Sequence, residues 1–180
     1  MYKILIVDDE SIEREGISFL IEKYKLPLEV AQATNGKTAL EYMRTHPVDI
    51  LLTDVKMPQM DGLELARHTF EKYPDVRILV FSAYGEFEFA KKAMAAQAVS
   101  YLLKPIEVDE FQRVMAQILA RCDELAEKKK DEQQRGEEYR QQLLFRLVTG
   151  TGLGKAHITE EWFSGQTLCL LHVQLSLIHI

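Results

Sequence analysis

Short apolar runs alternate with amphipathic stretches along the first two thirds of the chain. Each apolar run has the length of one buried strand. Each amphipathic stretch has apolar residues three to four positions apart, as in a helix that packs on a core. The predicted strands are Lys3–Val7, Leu28–Ala33, Asp49–Thr53, Arg77–Phe81 and Val99–Leu103. This strict alternation predicts an α/β domain with a parallel sheet and helices on both faces.

Five amphipathic helices are predicted, one after each strand. Their apolar positions are Ile17, Leu20, Ile21 and Tyr24 in the first, Ala39, Leu40 and Met43 in the second, Leu63, Ala66 and Phe70 in the third, Ala90, Ala93 and Met94 in the fourth, and Phe111, Val114, Met115, Ile118, Leu119 and Cys122 in the last. The expected strand order is 2-1-3-4-5. This order makes the first and third strands neighbours where the order reverses, and open α/β sheets bind their ligands there.

Polar residues come directly after four of the five strands. Asp8 and Asp9 follow the first strand, Asp54 the third, Ser82 the fourth and Lys104 the fifth. Each of them alone has an ordinary interpretation as a helix cap, a turn residue or a surface residue. Because the carboxyl ends of parallel strands lie at one edge of a sheet, we expect these side chains at the same place. The three carboxylates are therefore predicted to converge.

Three carboxylates in one cleft repel one another, by about 4 kcal/mol for a pair about 4 Å apart at an effective dielectric constant of about 20. A cation relieves this repulsion, and oxygen ligands with open positions favour Mg²⁺. Lys104 adds a second positive charge and Ser82 a hydroxyl group. This combination predicts phosphoryl transfer to Asp54, which acts as the nucleophile and forms an aspartyl phosphate.

Four motifs together resemble the receiver domain of bacterial two-component response regulators. They are Val7-Asp8-Asp9, Asp54 followed by Met57-Pro58-Gln59-Met60-Asp61-Gly62, Ser82-Ala83, and Lys104-Pro105. The resemblance covers about residues 2–122. It implies the flavodoxin-like receiver fold, and it implies a phosphoacceptor switch rather than an enzyme.

The resemblance also implies a role for each matching residue. Asp54 accepts phosphate from a sensor histidine kinase, and Lys104 contacts the phosphoryl group. Asp9 binds Mg²⁺ directly, and Asp8 acts through water. Asp54 and the backbone carbonyl of Lys56 are the further metal ligands. The Lys104–Pro105 bond is expected to be cis, although only about 5–6% of X–Pro bonds are.

In the same family, Ser82 and Tyr101 correspond to the pair of residues that switch on phosphorylation. Ser82 is expected to move toward the phosphate while the Tyr101 ring turns inward. The output face implied by the family consists of the fourth helix, the fifth strand and the fifth helix, roughly Glu86–Ala96, Ser100–Leu103 and Val108–Cys122. This face is expected to form a homodimer on phosphorylation. The alanine-rich run Ala93–Ala98 fits dimerisation and close helix–sheet packing equally well.

The composition excludes several classes of protein. The chain has 180 residues, 47% hydrophobic and 28% charged, with a formal net charge of −6 and no cluster of basic residues. It therefore lacks the usual signature of a DNA-binding surface. No apolar run reaches about 18 residues, and the amino terminus is too acidic for a signal peptide. Cys122 and Cys169 lie far apart in apolar patterns, as reduced buried thiols of a cytoplasmic protein do.

The composition changes after Cys122. We predict a receiver domain over residues 1–122, a helical linker over 123–142, and a fragment of a second domain over 143–180. The linker has two interpretations that stay open, a short coiled coil and a solvated helix. The layout resembles regulators that end in an AraC-type helix-turn-helix domain, so DNA binding is expected only in a longer parent protein. The last residues, Ser176–Ile180, are suspected not to be native.

The main functional hypothesis is a phosphorylation-dependent switch that controls transcription in its longer parent. The alternative is a Mg²⁺-dependent phosphohydrolase with an aspartate nucleophile. That class usually needs a second aspartate two residues after the nucleophile, where this chain has Lys56. A third hypothesis is an interaction module that takes no phosphate, and the presence of Asp54 and Lys104 argues against it.

Overall fold

The structure is a computed structural model that describes residues 1–83 and 99–149. The predicted fourth helix, the alanine-rich run, Cys169 and the last thirty-one residues of the predicted second domain, 150–180, lie outside the described residues. The chain divides into two compact units, Met1–Leu125 and Ala126–Ile180. The first unit contains the five strands of the predicted sheet.

Five strands and four helices are described. They are β1 (Tyr2–Val7), α1 (Ser11–Lys23), β2 (Leu28–Ala33), α2 (Gly36–Thr45), β3 (Ile50–Asp54), α3 (Gly62–Lys72), β4 (Arg77–Ala83), β5 (Val99–Lys104) and α4 (Val108–Thr149). The helix labelled α4 is the one predicted as the fifth. All strands are parallel, in the order β2-β1-β3-β4-β5. The predicted fold is therefore confirmed.

The strand register brings the candidate residues to one edge. Val7 pairs with Thr53, Asp54 with Phe81, and Ala83 with Lys104. Three strands extend further than predicted, so that Asp54 and Lys104 are their last residues and Ser82 lies inside β4. The hydrogen-bonded pairing of these strands continues past their last apolar residue. It does so because the polar residues Asp54 and Ser82 are themselves buried.

Side chains that alternate along the strands form two apolar layers. Ile4 and Ile6 belong to the layer that contains residues of α1 and α4, and Leu5 and Val7 belong to the layer that contains residues of α2 and α3. All four are fully buried. The sheet is thus covered on both faces, which is why the central strand β3 and the second half of β1 form continuous apolar runs, whereas the edge strand β2 has exposed polar residues at Glu29 and Gln32.

The helix faces agree with the sequence pattern except in α3. The predicted positions Ile17 and Ile21 of α1 are buried, and so is the predicted set in the first part of α4, except that Leu119 is only partly buried. In α3 the buried face contains Leu65 and Thr69, whereas Phe70 is 40% exposed. The prediction for Phe70 was wrong, because the helix begins at Gly62 and turns a different side toward the sheet.

Helix α4 continues without a break from the predicted receiver domain into the predicted linker. Every residue from Ala126 to Tyr139 is exposed. Neither predicted boundary, at 122 or at 142, is marked by a change of backbone conformation, so the domain limits stay predictions. No helix among residues 1–83 and 99–149 is long and apolar enough to cross a membrane.

Candidate functional site

Two buried carboxylates meet at one lysine at the carboxyl edge of the sheet. Lys104 Nζ lies 3.0 Å from Asp8 Oδ2 and 3.0 Å from Asp54 Oδ1. Asp8 is 1% exposed and Asp54 is 7% exposed. Asp8 follows β1, while Asp54 and Lys104 end β3 and β5, so the parallel topology brings together residues far apart in sequence.

Each carboxylate is oriented by a backbone amide as well as by the lysine. The Glu10 amide donates a hydrogen bond to Asp8 Oδ1 at 2.8 Å. The Lys56 amide donates to Asp54 Oδ2 at 3.0 Å. Both acids thus use one oxygen for Lys104 and the other for the turn that follows them. This geometry fixes the side-chain rotamers before any ligand binds.

The start of α3 packs directly on the backbone of Asp54. The Gly62 amide donates to the Val55 carbonyl at 2.9 Å. A Cβ atom on Gly62 would lie 1.7 Å from the Asp54 carbonyl oxygen and 2.8 Å from Thr53 Oγ1. Only glycine allows this close approach. The Asp61 side chain caps the same helix by accepting a hydrogen bond from the Glu64 amide at 2.7 Å.

Burial and charge act against each other at Asp54. Burial raises the pKa of Asp54 above the usual carboxyl value, while its hydrogen bond and charge interaction with Lys104 limit the rise. Burial of Lys104 works to lower its pKa, but hydrogen bonds to Asp54 and Asp8 outweigh this and raise it. Lys104 Nζ also lies 4.6 Å from the centre of the Phe81 ring, a cation–π contact. The lysine is therefore charged at neutral pH.

The structure brings together some predicted site residues and not others. Asp8, Asp54 and Lys104 converge as expected, and Ser82 is fully buried inside β4. Asp9 is exposed and lies in the bend between β1 and α1. Across the described residues, no group of three or more histidine, cysteine or acidic side chains is arranged to hold a metal ion. The convergence of the full acidic set therefore stays a prediction for Asp9.

Other predicted features lie around this centre. Tyr101 is half-buried in β5, and the Lys56 side chain is exposed. The Lys104–Pro105 bond is cis, as expected. Arg14 was not predicted, yet its Nη1 atom donates to the Asp8 carbonyl oxygen at 2.7 Å. A lone arginine in an amphipathic helix gives no signal of such a contact in the sequence.

Buried carboxylates around one lysine, at the carboxyl edge of a parallel sheet of order 2-1-3-4-5, define a receiver-type α/β domain. Residues 4–116, more than half of the chain, match the response regulator receiver domain family, and the chain belongs to that family. This family is a signalling module and is not a catalytic family in itself. Lys56 stands where the phosphohydrolase alternative needs an acid, and no described contact favours that alternative.

Relatives and solved structures agree with the family assignment. The transcriptional regulatory protein YesN of Bacillus subtilis is 41% identical over 121 residues, which are 67% of this chain and 33% of YesN. A crystal structure of the two-component transcriptional regulator AraC from Clostridium phytofermentans has a TM-score of 0.65 and 35% identity, covering 69% of this chain and 97% of that one.

A third similar structure is that of the response regulator TrrA from Thermotoga maritima in complex with Mg²⁺–BeF. Its TM-score is 0.56 at 29% identity, and the match covers 66% of this chain and 99% of that one. The chain spans only a third to a half of the length of the first curated relatives that it matches. Similarity to them therefore concerns the receiver and not the rest of those proteins.

Proposed function

We propose that Asp54 accepts a phosphoryl group from a sensor histidine kinase and that the domain is a cytoplasmic phosphorylation switch. One observation carries the proposal: the Asp54 carboxylate is held 3.0 Å from Lys104, which also pairs with Asp8. A nucleophile with a fixed cation beside it has the arrangement that phosphoryl transfer needs, because that reaction depends on positioning and on charge stabilisation.

The residues present fit Mg²⁺. Asp8 and Asp54 offer hard oxygen ligands in a buried setting, with two negative charges against the single charge of Lys104. The proposed ligands are Asp9, Asp54 and the Lys56 carbonyl, with Asp8 acting through water. When bound, the ion would neutralise negative charge on the transferred group. The Mg²⁺–BeF complex of TrrA is consistent with a metal in this family of sites.

In the proposed step an Asp54 carboxylate oxygen attacks phosphorus and forms the new P–O bond. The bond between phosphorus and the donor atom breaks, and its electron pair leaves with the histidine nitrogen of the kinase or with acetate. Lys104 binds the oxygens of the transferred group and helps to hold phosphorus in line between the Asp54 oxygen and the donor atom. The lysine that pairs with Asp54 before the reaction thus gains a stronger anionic partner after it, since a phosphoryl group carries about −1.5 to −2 charges.

The output of the switch is proposed to pass through β4 and β5. Ser82 lies one residue beyond the Asp54–Phe81 pair of the ladder, and Tyr101 lies opposite Val80. A hydroxyl that turns toward the phosphate would pull on β4 and favour one of two positions of the Tyr101 ring. The expected readouts are a homodimer and, in a longer parent protein, control of transcription.

A cleft next to the site is suited to the kinase. It has a volume of about 310 Å³ and lies between α1 and the segment Lys104-Pro105-Ile106. Ile12 and Phe19 of α1 are 80% and 60% exposed. Exposed apolar side chains beside a reactive group are typical of surfaces that bind a protein partner.

The test is phosphorylation by a small donor. The full chain is incubated with Mg²⁺ and acetyl phosphate, and its intact mass is followed over time. We expect one phosphoryl adduct per chain, absent in Asp54→Asn and absent when EDTA removes the metal. Asp61→Asn is the matched control, because Asp61 caps α3 in the turn after Asp54 but does not contact Lys104. It should keep the adduct.

Three results would contradict the proposal. An adduct that persists in Asp54→Asn would place the acceptor elsewhere. Continuous release of phosphate at many turnovers per minute, with no adduct on the wild-type chain, would favour the phosphohydrolase. Failure of every variant to react, with Mg²⁺ binding absent as well, would favour the interaction module.

A further inference from the structure

Arg14 joins the acidic turn after β1 to the edge strand β2. Its Nη1 atom donates to the Asp8 carbonyl oxygen at 2.7 Å, and its Nε atom donates to Gln32 Oε1 at 3.2 Å. Arg14 is half-buried on the first turns of α1, and Gln32 lies on β2. The guanidinium is a rigid planar fork, so two partners, one in the turn after β1 and one on β2, fix its orientation.

The contacts of Arg14 form a closed ring. Gln32 Nε2 donates to Ser18 Oγ at 3.1 Å, and Ser18 Oγ donates to the Arg14 carbonyl at 2.7 Å. Gln32, which accepts the hydrogen bond from Arg14, is therefore itself held by Ser18 on the next turn of α1. Because this ring already orients the Arg14 guanidinium, the hydrogen bond from Arg14 to Asp8 costs little additional side-chain entropy.

The carbonyl that Arg14 binds belongs to the peptide unit between Asp8 and Asp9. Because a peptide unit is planar, a hydrogen bond that holds the Asp8 carbonyl oxygen restricts the orientation of the whole Asp8–Asp9 peptide plane, and with it the backbone nitrogen of Asp9. The Asp8 side chain is anchored separately by the Glu10 amide and by Lys104. The Asp9 side chain is exposed, so its direction depends on this backbone plane.

We propose that Arg14 is a positioning residue, which fixes the Asp8–Asp9 peptide plane and thereby presents the Asp9 carboxylate to a divalent cation. The inference rests on the proposed function, because it takes Mg²⁺ as the ligand of that site. It adds a residue that touches neither the cation nor the phosphoryl group. Its effect passes through the backbone of the acidic turn.

The experiment is a calorimetric titration of the full chain with Mg²⁺. Arg14→Ala should weaken binding about tenfold, the lower end of the range for groups that orient metal ligands. Arg14→Lys should recover part of the loss, because an ammonium reaches one acceptor but not both. Arg44→Ala is the control: Arg44 is exposed on α2, away from β1 in the chain, and should leave the affinity unchanged.

A second readout separates positioning from chemistry. The rate of phosphorylation by acetyl phosphate is measured at low and at saturating Mg²⁺. Arg14→Ala should be slow at low Mg²⁺ and should reach the wild-type rate at saturation. A residue needed for the transfer itself would stay slow at every metal concentration, and that outcome would overturn the positioning role.

The proposal and the function on which it rests fail differently. A wild-type chain that binds no Mg²⁺ overturns the proposed function. A wild-type chain that binds Mg²⁺, together with a folded Arg14→Ala of equal affinity, overturns only the role of Arg14. If Arg14→Ala does not fold, Gln32→Ala tests the same ring, since it removes the Nε partner alone. Unchanged affinity in both Gln32→Ala and Arg14→Lys would then overturn the inference.

Discussion

The two edges of the sheet hold charged groups in different ways. At the amino edge, Asp49 Oδ2 accepts a hydrogen bond from the Lys3 amide at 2.7 Å, while Lys3 Nζ pairs with Glu29 at 3.0 Å. Each of these acids has a partner to itself. At the carboxyl edge, by contrast, Asp8 and Asp54 share the single ammonium of Lys104.

The difference in burial makes this contrast stronger. The Glu29 side chain is 63% exposed, so water screens its charge and the pair with Lys3 contributes little. Asp8 and Asp54 are almost fully buried, and their repulsion is screened much less. Each edge has two of these acids and one of these lysines, but only at the carboxyl edge are both carboxylates almost fully buried, so the excess negative charge is screened least there. An added cation should therefore have a larger effect at the carboxyl edge than at the amino edge.

The largest expected effect tests the backbone of the carboxyl edge. Gly62→Ala should lower the free energy of unfolding by about 4 kcal/mol, as in other severe substitutions, because the new Cβ meets the Asp54 carbonyl oxygen rather than a mobile side chain. Urea unfolding in EDTA measures the change. Gly16→Ala in α1 is the control: nothing lies within 4 Å of its Cβ position, and it should stabilise the chain by about 0.5–1 kcal/mol.

A loss below about 1 kcal/mol in Gly62→Ala would mean that the start of α3 moves away easily. The carboxyl edge would then be no more rigid than the rest of the domain, and the contrast between the edges would concern charge alone.

The next effect compares two lysines of nearly equal exposure. The Lys104 side chain is 21% exposed and that of Lys3 is 20% exposed. Lys104→Met should lower the free energy of unfolding by about 3 kcal/mol at neutral pH, because it leaves two buried carboxylates without a cation. Lys3→Met should cause a clearly smaller loss, since its partner Glu29 is in water. Urea unfolding without metal measures both.

Mg²⁺ sharpens this test. Added Mg²⁺ should restore part of the stability of Lys104→Met, since a second cation then neutralises the same carboxylates. Equal losses in the two lysine variants, or no response to Mg²⁺, would remove the electrostatic difference between the edges.

Local pattern predicts much of this fold because the central parallel strands are covered on both faces and form nearly continuous apolar runs. The end of β3 at Asp54 and the end of β5 at Lys104 follow from that pattern to within one residue. The prediction fails at Phe70 because the rotation of α3 depends on the contact of Gly62 with the Asp54 backbone, which is a tertiary constraint.

The candidate site is predictable to the same extent. Topology alone brings the residues after parallel strands to one edge, so Asp8, Asp54 and Lys104 are predicted together. The hydrogen bond from Arg14 to the Asp8 carbonyl depends on a side-chain rotamer and on Gln32 of another strand. No sequence spacing encodes such a contact.

The smallest effect is a change of stability with pH, and it isolates the charge of Asp54. Burial raises the pKa of Asp54, so the folded chain holds this proton more tightly than the unfolded chain, whose aspartates titrate near about 3.9. The stability that this group contributes is complete below that value and is lost as pH rises through the raised pKa. Asp54→Asn cannot lose a proton, so in EDTA it should be more stable than wild type by about 1 kcal/mol at neutral pH.

The advantage of Asp54→Asn should shrink as the pH falls through the raised pKa of Asp54, because wild-type Asp54 then becomes protonated as well. Asp49→Asn is the matched control at the amino edge, because its side-chain oxygen still accepts from the Lys3 amide. It should show no comparable gain at neutral pH. An Asp54→Asn variant that is less stable than wild type at neutral pH, and recovers on acidification, would mean that the attraction of Lys104 exceeds the burial penalty. The charges of the carboxyl edge would then stabilise the folded chain.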